Sequence, residues 1–66
     1  MRAFINGQER EFRALVTLEE LLESVNAPRT GIAVARNQRV VKRADFGTEL
    51  VQDGDRIEII NAVAGG

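Results

Sequence analysis

The sequence predicts an α+β domain: a mixed sheet with one helix lying across one face, in the order β-β-α-β-β-β. Three observations predict it. Asn6-Gly7 is a strong two-residue hairpin signal between two strand-like segments, since both residues accept positive φ. A single, well-marked helix start follows at Thr17. After it come two apolar runs bounded by turn residues, 31–36 and 56–61, which read as strands. A helix stripe and apolar strand faces are buried together only if the helix packs on one side of the sheet.

Each element has its own warrant. Residues 1–6 alternate, with Ala3 and Ile5 on one face and Arg2 and Phe4 on the other. Residues 8–15 return antiparallel, with Phe12 as their core residue. Thr17 is the expected N-cap and Glu20 the partner that completes a Thr-x-x-Glu capping box, while Val16 and Leu21 have the spacing of a hydrophobic staple. Leu18, Leu21, Leu22 and Val25 form one apolar stripe. Asn26 is suited to a left-handed cap and Pro28 prevents continuation, so a helix of about eight to ten residues is expected. Residues 31–36 form a strand, Asn37-Gln38 a turn, and residues 40–41 a short strand. An irregular stretch then leads to the Gln52-Asp53-Gly54-Asp55 turn and the closing strand 56–61.

The expected core is Ala3, Ile5, Phe12, Leu18, Leu21, Leu22, Val25, Ile32, Val34, Leu50, Ile57 and Ile59. Each fully buried aliphatic side chain there contributes roughly 1.5–3 kcal/mol. Strict alternation sends Phe4, Ala33, Ala35 and Ile60 to the opposite face. With the first and last strands as neighbours, Phe4 and Ile60 make a patch suited to docking a partner.

Composition narrows the function. A chain of 66 residues is one domain, 1–61, followed by a flexible tail, 62–66. Cysteine and histidine are both absent, which removes the usual zinc sites, Cys–His and Ser–His–Asp nucleophile systems and the histidine general base. Asp53 and Asp55 flank a turn glycine and lack the ligand number of a calcium loop. With a net charge of −1 and no basic stripe, nucleic acid is disfavoured as a partner. The apolar runs fall far short of a membrane span and there is no secretory leader, so a cytoplasmic location is expected.

What remains is the C-terminus, Ala62-Val63-Ala64-Gly65-Gly66, a thin segment directly after the most apolar strand. Glycines fit a narrow channel and tolerate backbone angles that other residues do not. The chain is expected to be a substrate of other enzymes, with its own carboxylate as the reactive group, and not an enzyme itself.

The residues in this order resemble a known family. Asn6-Gly7, Thr17-Leu18-Glu19-Glu20-Leu21-Leu22, Ala33-Val34-Ala35-Arg36-Asn37, Val40-Val41, Gln52-Asp53-Gly54-Asp55 and the terminal Ala62-Val63-Ala64-Gly65-Gly66 are similar to the small ubiquitin-like sulfur carriers. The closest likeness is to the ThiS-type carriers of thiamine thiazole biosynthesis. The sequence departs from that family at Lys42, where proline is common, and at Phe46, where tryptophan is common. The resemblance implies a β-grasp fold. It further implies that an E1-like adenylating enzyme, using ATP and magnesium, activates the Gly66 carboxylate. Sulfur from a persulfide donor then gives a Gly66 thiocarboxylate, which is delivered to thiazole synthase. Val63, Ala64 and Gly65 would thread the partners' active sites, and Phe4 and Ile60 would dock, with no cofactor held by the chain itself. The alternatives are a carrier for molybdopterin synthesis, which shares the fold and diglycine chemistry, and a β-grasp binding domain with an inert tail.

Overall fold

The computed structural model describes residues 1–13, 15–28 and 30–61. The strands are β1 (Arg2–Ile5), β2 (Gln8–Glu11), β3 (Val16–Thr17), β4 (Ile32–Arg36), β5 (Arg39–Val41), β6 (Leu50–Val51) and β7 (Arg56–Asn61), with one helix, α1 (Leu18–Ser24), and a 3-10 turn at Arg43–Asp45. Five strands form one sheet in the order β2-β1-β7-β4-β5, and β3 pairs with β6 in a separate two-stranded ribbon. β1 and β7 run parallel side by side at the centre, with Phe4 opposite Arg56 and Ile5 opposite Ile57. The expected adjacency of first and last strands is therefore present.

Asn6 (φ 51°) and Gly7 (φ 86°) form the left-handed pair of the β1–β2 turn, which sets Ile5 against Gln8. Asn37 (φ 53°) and Gln38 (φ 69°) do the same between β4 and β5, setting Arg36 against Arg39.

The helix is closed at both ends by identifiable groups. Thr17 Oγ1 accepts from the Glu20 amide at 3.1 Å, and the Glu20 carboxylate accepts from the Thr17 amide at 2.9 Å, completing the capping box. The next two free amides are taken by the irregular stretch: Leu18 N–H donates to the Glu49 carbonyl and Glu19 N–H to the Phe46 carbonyl. At the other end Val25 is the cap and Asn26 (φ 59°) turns left-handed. The Asn26 amide then donates to the Glu23 carbonyl and the Ala27 amide to the Leu22 carbonyl, the two bonds of a Schellman motif. The motif stops the helix at seven residues, shorter than expected.

Ala3, Ile5, Leu18, Leu21, Leu22, Val34 and Ile57 are buried together as expected, with Phe12, Val25, Ile32 and Ile59 partly buried against them. The sequence reading erred at Leu50, which is 46% exposed, while its neighbour Val51 is completely buried. The ribbon explains the exchange: Val51 pairs with Val16 and Leu50 with Thr17, so the core-facing position falls one residue later. Val41 and Phe46 also join the core. The strand expected over 8–15 ends at Glu11, and Leu15 is exposed.

Candidate functional site

The tail residues Val63, Ala64, Gly65 and Gly66 lie outside the described residues, as do Ala62, Ala14 and Arg29. What the structure describes is the root of that tail, β7, and the sheet face that surrounds it.

β7 is the central strand of the five, flanked by β1 and β4. Its residues 57 and 59 turn towards the helix, where Ile57 is buried and Ile59 half-buried, while 56, 58 and 60 face outward. Ile60 is 55% exposed and sits opposite Ala33. Phe4 lies on the same outer face, beside Arg56, whose guanidinium carbon is 5.7 Å from the ring centre in a cation–π arrangement. Four residues of β7, or ~13 Å, separate the level of Phe4 from that of Ile60. Glu58 stands between them.

The apolar ground around Ile60 extends the other way, across β4 and onto β5. Ala33 lies opposite Ile60, and Ala35 opposite Val40, which is 73% exposed. Ala35 is itself buried at that face. Val40 was missed as an outer-face residue, yet a signal for it existed. The two-residue turn at Asn37-Gln38 sets Ala35 against Val40, so both must point the same way. Around Phe4 the surface is charged instead: Arg2 and Glu9 pair at 2.8 Å, and Arg56 and Glu58 follow on β7.

A polar network fastens the start of β7. Asp55 is buried and its carboxylate accepts from Arg36 Nε at 2.6 Å, the Gln52 amide at 2.7 Å and Asn37 Nδ2 at 3.0 Å. Arg36 also reaches Glu49 at 2.7 Å. Asn37 Oδ1 accepts from the Arg56 amide, and the Asn37 amide donates to the Arg56 carbonyl. Burial pushes the Asp55 carboxyl up, but the Gln52 amide, Asn37 and Arg36 outweigh it and hold the group below the ordinary carboxylate range. The same contacts with Asp55 and Glu49 raise the Arg36 guanidinium. Asp53, across the turn, accepts from the Arg2 amide at 2.8 Å. The two aspartates thus fasten a turn to two different strands.

At the far end of β7, Asn6 reaches across from the β1–β2 turn. Its Oδ1 accepts from the Ile59 amide at 2.8 Å and its Nδ2 donates to the Ile59 carbonyl at 3.3 Å. Among the described residues no group of three or more acidic side chains is placed to hold a metal ion.

Among the described residues, a five-stranded mixed sheet, one helix across it, and a central last strand that ends at Asn61 define a ubiquitin-like protein of the β-grasp fold. The chain belongs to the ThiS family, whose model matches residues 3–66. It is 38% identical over 66 residues to the sulfur carrier protein ThiS of Escherichia coli K12, covering the whole of both chains. It is also 38% identical over the same length to a thiazole synthase of Paramagnetospirillum magneticum, of which it spans only 20%. The crystal structure of the thiamine biosynthesis protein ThiS from Geobacter metallireducens superposes with a TM-score of 0.82 at 25% identity, over 91% of each chain.

Proposed function

We propose that this chain is a sulfur carrier for the thiazole ring of thiamine, with Gly66 as the residue that carries the sulfur. The observation that supports it most is the end-to-end match to a sulfur carrier protein, on a fold whose central strand ends at Asn61, five residues before Gly66 in the sequence.

The chemistry follows from what a carboxylate lacks. It is a poor electrophile until one oxygen becomes a good leaving group. An E1-like partner supplies that by using ATP and magnesium to join Gly66 to AMP, releasing pyrophosphate. A persulfide sulfur then attacks the acyl carbon, the C–O bond to AMP breaks, and a thiol cuts the S–S bond to leave a thiocarboxylate. The soft, charged sulfur is nucleophilic at neutral pH, and enclosure within partners keeps water from the reactive acyl group. Thiazole synthase is the acceptor, a reading supported by relatives of that name that include a segment like this chain. The chain itself acts as a co-substrate and holds no cofactor. No helix among the described residues is long and apolar enough to cross a membrane, and the cycle fits a cytoplasmic setting.

Partners meet the outer sheet face, where Ile60 lies at the root of the tail, with Phe4 further back on the same face. The genetic test is direct. Cells lacking this chain require the thiazole precursor of thiamine for growth. Thiazole-independent growth with loss of molybdoenzyme activity would transfer the chain to molybdopterin synthesis instead.

A further inference from the structure

The contact between Asn6 and Ile59 stands apart from the hairpin role that the Asn6-Gly7 pair plays. In the parallel β1–β7 ladder, the Phe4 amide donates to the Asp55 carbonyl and the Asn6 amide to the Ile57 carbonyl. The next bond of such a ladder would run from the Ile59 amide back to the main-chain carbonyl of Asn6. That carbonyl has been turned away, because Asn6 is left-handed and the chain reverses there. The side chain takes its place. Oδ1 receives the Ile59 amide, and Nδ2 supplies to the Ile59 carbonyl the donor that a further β1 residue would have offered. β1 ends at Ile5 while β7 continues to Asn61, so the amide of Asn6 serves as one more peptide unit beside the outgoing strand.

We infer that Asn6 is a positioning residue for the carrier reaction, fixing the direction in which β7 delivers the C-terminal segment to the activating enzyme. This rests on the functional reading given above. From Ile59 to Gly66 is seven residues, ~23 Å if extended. Once the activating enzyme holds that segment extended in its channel, a ~10° change in the heading of the strand at Ile59 would displace the reacting carboxylate by several ångströms, and misplacement of ~1 Å can cost as much as 10²-fold in rate. Aspartate would satisfy the left-handed turn equally well, but it has no N–H to offer and sets a carboxylate against the Ile59 carbonyl. Only an amide answers both groups.

The test uses the full chain with its E1-like partner, following pyrophosphate exchange as a function of carrier concentration. Asn6→Gly keeps the turn, since glycine is at least as comfortable at positive φ, and removes the amide. Asn6→Asp keeps the turn and the acceptor but loses the donor. Amide exchange is read at Ile59, with Glu58 and Ile60, whose main-chain amides lie on the β4 side of the strand, as internal references for an intact fold. The inference predicts Ile59 exchange at least about tenfold faster in Asn6→Gly, with references unchanged. It also predicts kcat lower by about five- to tenfold and KM within about twofold, with Asn6→Asp in between. Unchanged Ile59 exchange, unchanged kcat despite faster exchange, or a rise in KM alone would each overturn it. Absence of exchange with the unaltered chain would instead overturn the functional reading on which it rests.

Discussion

β7 begins beside Asp55 and ends at Asn61, and the chemistry that holds it differs between the two ends. At the start, a buried carboxylate gathers a guanidinium, a side-chain amide and a main-chain amide, and Arg36 extends the network to Glu49. Four residues later, on the β1 side, Ile59 is met by a neutral, exposed side-chain amide. Charge-assisted bonds in a buried site are worth roughly twice a neutral bond at the surface. The start is thus built to anchor the strand in the scaffold, and the finish to aim it while leaving the outer face accessible. On the proposed function, in which the end of the chain enters more than one partner, both are needed.

The largest effect expected belongs to the finish. Deleting Gly66, or adding one residue after it, abolishes pyrophosphate exchange by the activating partner while leaving the melting temperature unchanged. Normal exchange by the deleted chain would remove the finish from the chemistry.

Next is the start. Asp55→Ala removes the acceptor of three hydrogen bonds and leaves Arg36 with Glu49 alone, which should lower stability by about 2–3 kcal/mol. In a chain of this size that is a fall of ~10–20 °C in melting temperature. Loss of under ~1 kcal/mol would mean that the network adds little beyond the ladder itself. The same group makes the start acid-sensitive. Its carboxyl is held below the ordinary value of 3.8, so its contribution is complete above that value and drains away as pH falls through the lower, folded value. Thermal melts of the native chain and Asp55→Asn should therefore differ by a constant gap above pH ~4 and converge as pH falls further below it.

A smaller effect concerns the face beside the finish. Ile60→Asp or Val40→Asp should weaken partner binding by about tenfold without unfolding, since both side chains are already in water. Phe4→Ala, ~13 Å away beside Arg56, should cost less. Equal losses at Phe4 and Ile60 would show that partners use the whole face and not only the apolar part that runs from Ile60 on β7 across β4 to β5.

The parts of this arrangement that were legible in the sequence are those set by local chemistry. The capping box at Thr17 and Glu20, the left-handed Asn26 and the two-residue turns act over a few residues, so their signals are complete in a short window. Alternation placed Ala3, Ile5, Ile57, Phe4 and Ile60 on their faces, because a strand of four or more residues has a readable period. β3 and β6 have two residues each and no period, which is why Leu50 was taken for Val51. Truncating Val51 to alanine should cost about 1–3 kcal/mol, and Leu50→Ala less than ~1 kcal/mol. The networks at the two ends of β7 were not legible for a different reason. Asn6 and Asn37 read as turn formers, and Asp55 as half of an Asp-Gly-Asp turn. Their second roles depend on residues 18 to 53 positions away.

The central claim is that this scaffold presents Gly66 for conversion to a thiocarboxylate. The most direct measurement is the intact mass of the chain after incubation with its activating enzyme, ATP, magnesium and a sulfide source. The account predicts one oxygen replaced by sulfur, located at Gly66 by fragmentation. A chain whose terminal group stays a carboxylate, while the enzyme consumes ATP on a known carrier in the same mixture, would contradict it.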